Sequence, residues 1–470
     1  MFQNLHRPFI ITTSLEKPDR ATRRTARSYA MRGKNTGKRH KQIKMAPPLS
    51  SWINDQLANV DCQEMEVVSN VPDQVNRQIA SEWTLFNVAE EIGPHPRQKL
   101  YQYFSILEQT SYPNQVLARN VFDRQAPLWL EHLGQSSTYL HNQLFVLMAY
   151  YDLIIARTSD ISHGTISHMS RALNLLQTDL GTSSRATAEV TISTIITFAM
   201  VAFMSGDKAS AEKHLQGLFK VIALRGGLSS LRSCRYLQTK CCRLDLSYAM
   251  CTSSTPFFFS ADNISWTSYL PRTLPVPLTT AIHAMLTGSG TTADAKMLAI
   301  YSDLHEFSRA ANLAAQTGRK LEPDLLQDVM ISVQYRLLHL KFDDEDVHEL
   351  LRVVMLAYSA TILPLLFSQF GGYSSLSFPS FQDCLRAHVQ NESSHERSRA
   401  WLWLLVVVGV SNLDCDVEDL DSHLASAVRD LDLKSWKDVL VVLKTFIWID
   451  VLHSEQAKTL LTEVIERDRQ

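Results

Sequence analysis

The stretch 206–228 constrains the fold more than any other, because it writes out one helix together with its start and its stop. Asp207 stands where a side-chain oxygen can take up the free amides of a first turn. Ala211, Leu215, Leu218, Phe219 and Ile222 follow at three- and four-residue spacings, the period of one helical face. Lys213, His214, Gln216 and Lys220 fall on the other side. Gly226 and Gly227 can turn left-handed beyond the last turn, and Arg225 sits where a cation favours the final carbonyls. None of these residues suggests chemistry. The segment 207–246 reads as the central packing element of an all-α domain.

Helical periodicity continues on both sides. Helices are expected at 99–109, with Leu100, Tyr103, Phe104 and Leu107 on one face, and at 118–133, shortened by Pro127. Others follow at 139–155, at 161–180 with Ile166, Met169, Leu173 and Leu176 at helical spacing, and at 186–204, capped from Thr182, Ser183 and Ser184. After Pro256 the pattern gives way to an irregular connection through Phe257, Phe258, Phe259 and three prolines up to Gly290. Helices resume at 295–315, 324–341, 347–370, 398–410, 417–431, 435–452 and 455–467. No period-2 run long enough for a strand and no internal repeat interrupts them, which weakens a solenoid reading. The expected architecture is a large multi-helix domain at 81–470, behind a linker at 51–80 and an N-terminal segment at 1–50.

That N-terminal segment is strongly basic. Between Lys17 and Lys44 eleven Lys and Arg residues stand against Asp19 alone, a charge of +10 that leaves −12 for the rest of a chain whose total is −2. With few large apolar residues, 17–44 cannot bury enough surface to offset its ordering entropy, so a disordered basic arm is expected. Lys38, Arg39, Lys41 and Lys44, with Arg23, Arg24 and Arg27 upstream, match the dense charge that an import receptor reads as a nuclear localisation signal. The same charge suits non-specific contact with DNA phosphates. A solvated tail without a partner and a mitochondrial presequence are the rival readings. Met1 to Leu15 lacks a continuous apolar core, so no secretory leader is expected. The apolar runs 401–410 and 353–367 fall short of the roughly 18 unbroken residues that span a bilayer. Both read as buried helices, and no membrane partner is expected.

The seven cysteines are odd in number and irregularly spaced, as for free thiols in a reducing compartment. Cys241 and Cys242, adjacent on a helix, make a poor chelate, so no metal or other cofactor is expected. Asp414, Asp416 and Glu418 begin a calcium-loop pattern that fails at Asp419, where Gly is needed, and at Ala425, where Glu is needed. Asp343 to Asp346 reads as charge at a helix start. Arg243 and Asp245, either side of Leu244, read as structural hydrogen-bonding groups. No nucleophile elbow, phosphate loop or His-Glu-x-x-His motif occurs, and no catalytic residue is assigned.

One string has the look of a family. Ala211-Glu212-Lys213-His214-Leu215-x-Gly217-Leu218, then Ile222-x-x-Arg225-Gly226-Gly227-Leu228, resembles the core motif of the fungal-specific transcription factor domain. Leu244-Asp245-Leu246-x-x-Ala249 followed by Pro256-Phe257 resembles the segment after it. The likeness is densest at 187–259 and looser from 85 to the C-terminus. Arg27-Ser28-Tyr29-Ala30-Met31-Arg32 resembles the basic segment of members without a recognisable zinc cluster, with Tyr29 in place of the usual His. The six-cysteine zinc cluster usual in this family has no counterpart, since no cysteine precedes Cys62. The resemblance implies a nuclear regulatory protein whose helical domain acts on an unknown protein partner or small-molecule effector, with no enzymatic activity. A cytoplasmic helical scaffold, and behind it a helical enzyme without a local motif, are the alternatives.

Overall fold

A computed structural model describes residues 88–93, 96–97, 100, 130–155, 158, 161–260, 262–270, 292–343, 346–364, 395–411, 413 and 417–468. The expected arm 1–50, the linker 51–80 and the helix expected at 99–109, apart from Leu100, lie outside these residues. Within them the chain is all-α: fourteen α-helices, a π turn and a 3-10 turn, without a strand.

The helices are α1 (Leu130–Gln135), α2 (Ser137–Tyr150), α3 (His163–Leu180), α4 (Ser183–Ala186), α5 (Glu189–Met204), α6 (Lys208–Arg225), α7 (Arg235–Thr252), α8 (Thr292–Thr317), α9 (Pro323–His339), α10 (Val347–Ile362), α11 (His395–Val410), α12 (Val417–Asp430), α13 (Trp436–Leu443) and α14 (Asp450–Asp468). They pack around two cores. Leu140, Leu144, Phe145, Ile192, Phe203 and Leu218 centre the first, built by α2 to α7. Leu304, Phe307, Val333, Leu356, Trp403 and Leu424 centre the second, built by α7 to α14. Helix α7 serves both: Leu237, Cys241, Leu244 and Tyr248 enter the first core, while Cys242, Leu246 and Met250 enter the second. Of the two apolar runs, residues 353–362 lie in α10 and 401–410 in α11, and both stretches are largely buried. No helix among the described residues is long and apolar enough to cross a bilayer.

Helices α5 and α6 form a hairpin that positions the motif residues. The turn between them is tight, with Gly206 at φ 82° and the Asp207 amide donating to the Ala202 carbonyl at 2.9 Å. The Asp207 side chain accepts from the Ser210 amide, as an N-cap should. At the far end Gly226 has φ 105°. Its amide donates to Ala223 and that of Gly227 to Ile222, the paired bonds of a Schellman cap.

Four expectations are corrected. Helix α3 buries Thr165, Ala172 and Leu176, with Met169 half-buried, and leaves Ile166 and Leu173 exposed. Its inward face is therefore rotated by about one residue from the apolar stripe. Thr182 makes no side-chain cap: a one-turn helix, α4, intervenes, and α5 starts after an uncapped Ala188. Helix α10 stops at Ile362 rather than near 370, because Pro364 disfavours helical backbone in the residue before it. The helix expected at 435–452 ends at Leu443, and α14 begins at Asp450.

That last break is fixed by distant side chains. Asn312 on α8 donates to the Trp448 carbonyl at 2.7 Å and accepts from the Asp450 amide at 2.8 Å. Trp403 on α11 donates its indole N–H to the Ile447 carbonyl at 2.9 Å. His453, fully buried, accepts from the Ile449 amide through Nδ1. Backbone groups that a continuous helix would satisfy internally are satisfied here by tertiary partners.

Candidate functional site

The motif residues build one contiguous unit. Leu215 and Leu218 point into the first core, with Ala211, Val221 and Ile222. Phe219, expected inward, is 40% exposed, and Val221 takes its place in the core. Its ring still approaches Phe258 at 6.0 Å. His214, expected outward, is half-buried and stacks on Phe198 at 5.7 Å; burial lowers its pKa, opposed by the Asp207 charge. Gly217 is helical, and a Cβ added there would meet nothing within 4 Å.

Arg225 does more than complement a helix end. Its guanidinium reaches back along the hairpin to donate to the Thr187 carbonyl at 2.5 Å and to Glu189 at 3.4 Å. The α5–α6 pair is thus closed at one end by the Gly206–Asp207 turn and at the other by this clamp. Leu228, next after the two glycines, packs against both cores, and Gln238 on α7 holds its carbonyl at 2.9 Å.

Asp245 has the structural role expected of it. Fully buried, it accepts from the Phe257 amide at 2.8 Å, the Phe258 amide at 3.0 Å and the Tyr335 hydroxyl at 2.8 Å. Burial pushes its pKa up, and these donors pull the other way. Asp303 on α8 holds residues 269–270 in the same manner. It accepts from the amides of Tyr269 and Leu270 at 2.8 and 2.9 Å and pairs with buried Arg336 at 2.5 Å. Arg235 of α7 pairs with Asp328 of α9, which also accepts from the Tyr269 hydroxyl. Two buried carboxylates and this ion pair hold Phe257, Phe258, Tyr269 and Leu270 of the stretch after α7 against α7, α8 and α9.

Two further clusters carry ionisable groups, the first without any signal in the sequence. Buried His141 on α2 and half-buried His168 on α3 share one hydrogen bond between their Nδ1 atoms at 2.9 Å, so one ring donates and the other accepts. The other nitrogen of His141 meets Glu90 at 3.3 Å, and Arg171 pairs with Glu90 at 2.9 Å. Burial, then proximity to His141, lowers the pKa of His168. These four residues come from three separate segments and had no local signature. On α7, burial lowers the pKa of Arg243 to about 10; as the hydrogen-bonding role expected of it requires, it donates to the Pro364 carbonyl at 3.2 Å, and among the described residues its Nε finds no acceptor. It lines a crevice of about 160 Å³ with Ser247, Gln334 and Leu363.

Cys241 and Cys242 are buried in opposite cores, and burial raises the pKa of both thiols. Among the described residues, no three His, Cys, Asp or Glu side chains are placed to hold a metal ion. Asp346 caps α10 by accepting from the His348 amide, in line with the acidic helix start expected there. The basic residues Arg23, Arg24, Arg27, Lys38, Arg39, Lys41 and Lys44, and the residues 414–416 of the failed calcium loop, lie outside the described residues.

No protein-family model, no curated protein and no solved structure matches this chain.

Proposed function

We propose that this chain is a nuclear regulatory protein of the fungal transcription-factor type, without a zinc cluster of its own. The basic arm at 17–44 engages an import receptor and adds non-specific affinity for DNA. The helical body acts through its surfaces on a protein partner or a small-molecule effector. The observation that carries this reading is the string at 211–228 with its continuation at 244–257. Its residues have connected structural duties: the Leu215 and Leu218 core contacts, the Arg225 clamp, the Gly226–Gly227 cap and the Asp245 anchor on Phe257. A motif whose parts are coupled in one structure is a stronger basis for the resemblance than scattered single matches. The charge contrast between arm and body supports it independently.

The test is localisation of a fluorescent fusion, with and without Lys38, Arg39, Lys41 and Lys44 changed to Ala, together with chromatin immunoprecipitation. Nuclear signal lost in the variant, with enrichment on chromatin, is the expected result. A cytosolic fusion with no enrichment would favour the scaffold and overturn the proposal; a mitochondrial one would reassign the arm.

A further inference from the structure

His141 of α2 and His168 of α3 meet in a contact that counts protons. Their Nδ1 atoms lie 2.9 Å apart, so the space between them holds one hydrogen. The Nε2 of His141 donates to Glu90 at 3.3 Å, which leaves its Nδ1 to accept from His168 while both rings are neutral. One added proton keeps the bond. It enters at Nε2 of half-buried His168, and the hydrogen between the rings shifts to His141, which then donates from both nitrogens. A second added proton would put hydrogens on both Nδ1 atoms and set two like charges together. Burial, then the neighbouring His141, disfavours charge on His168. The surroundings leave Glu90 as the deciding charge. Glu91 beside it is exposed, and Arg171 of α3 pairs with Glu90 at 2.9 Å. At the ends of the two helices Asp152 accepts from Ser162 and Thr165, and Asp179 accepts from Thr138 and faces Arg185. Helix α5 meets α2 through Thr197 and Phe198, and its single charged residue, Glu189, pairs with Arg225. Helix α1 brings His132 against the Tyr139 ring.

We propose that His141 and His168 take up one proton between them, and that this proton fastens the segment 88–93 to α2 and α3. The inference does not depend on the regulatory reading. In the neutral pair a neutral imidazole donates to the Glu90 carboxylate. In the charged pair that bond becomes an ion pair, the stronger kind. Burial works against the Glu90 charge, but hydrogen bonds from Arg171 and His141 hold its carboxyl below the usual value, so it stays ionised while the imidazoles titrate. Glu90 then ties α2 and α3 together through His141 and Arg171, and the Ala89 amide next to it donates to the Leu133 carbonyl at 2.8 Å. Docking of Glu90 raises the proton affinity of His141 above that of the same ring with Glu90 undocked. By linkage, docking therefore strengthens as pH falls, until the second proton opens the contact at His168.

Imidazole 15N shifts of the full chain, followed between about pH 5 and 8, read the proton count. The expected result is two separate steps, with charge on His141 in the first and on His168 in the second, more acidic one. Glu90→Gln removes the counter-charge and lowers the first step by about 0.5–1 pH unit. Arg171→Gln removes the competing cation and raises it, an opposite sign that mere loosening of the site would not give. Hydrogen exchange at the Ala89 amide, corrected for the intrinsic effect of pH, reads the docking. Its protection is expected to rise up to about threefold from pH 8 to pH 6, the factor that a half-unit difference in proton affinity gives. Glu90→Gln abolishes that rise. Both rings charging in one step overturns the proposal, as do shifts of the same sign in the two variants. Protection of Ala89 that is the same at both pH values, or a rise that survives Glu90→Gln, overturns the fastening of 88–93.

Discussion

Asp245 stabilises by anchoring backbone rather than by pairing charge. It has three donors and no solvent, and two of the donors are main-chain amides of the connection after α7. Asp245→Asn keeps the shape but swaps one acceptor oxygen for a donor facing other donors. The expected loss is about 2–4 kcal/mol in urea unfolding, since hydrogen bonds to a charged group contribute roughly 1.5–3 kcal/mol and a mismatched buried donor costs more. A loss under about 0.5 kcal/mol would mean that Phe257 and Phe258 hold the connection by packing alone.

His453 makes the pH argument. Its Nδ1 accepts from the Ile449 amide, so its proton sits on Nε2 and is donated to the Thr361 hydroxyl at 2.8 Å. A second proton has no acceptor, and burial takes the pKa down to about 3. His168, His214 and His305 are lowered too, each first by burial. The folded pKa lies below the unfolded one, so stability is full above about pH 6.5 and falls as the unfolded chain alone takes up protons. For His453 the fall continues toward pH 3, by up to about 1.4 kcal/mol per unit. His453→Asn, whose oxygen can still accept from Ile449, is expected to be less stable than the parent at pH 7.5 but to lose less between pH 6.5 and 4.5. Equal slopes in urea melts at four pH values would discard the argument.

Helix α6 is where the residue pattern was most legible, and its two glycine classes can be separated by substitution. Gly226 has φ 105° and Gly227 has φ 86° with ψ 178°, regions that cost an L-residue about 1–2 kcal/mol or more. Gly217 sits in ordinary helix with open space where a Cβ would go. Gly226→Ala is expected to lower stability by about 1–2 kcal/mol, whereas Gly217→Ala raises it by about 0.5–1 kcal/mol. Thermal melts of both variants check the contrast; a stabilising Gly226→Ala would refute the cap. Asp207, Gly226 and Gly227 could be read in sequence because capping is local. Other features were not legible because their partners lie far along the chain. Arg225 looked like a simple end charge until Thr187 and Glu189 came within reach. The break before α14 depends on Asn312, Trp403 and His453. The His141–His168–Glu90 cluster had no motif to announce it, since its members come from three segments.

At the scale of the molecule, α7 decides whether the two cores fold as one. Cys241 and Cys242 are neighbours in sequence yet belong to different cores, and Leu244 and Leu246 divide in the same way. Opposed faces of one helix therefore carry load on both sides, and α7 cannot unfold without exposing apolar surface in each. Its amides are expected to be among the slowest in the chain to exchange with deuterium, opening only with global unfolding. The sharper consequence concerns Leu244→Ala, which empties space only in the first core and should cost about 2–5 kcal/mol. If α7 couples the cores, exchange accelerates in α10 and α11 of the second core by the same factor as in α2 and α5 of the first. Leu246→Ala should act in the same way from the other side. Acceleration confined to α2 and α5 would show instead that the two cores open independently, and that α7 is a wall between two folding units rather than the member that joins them.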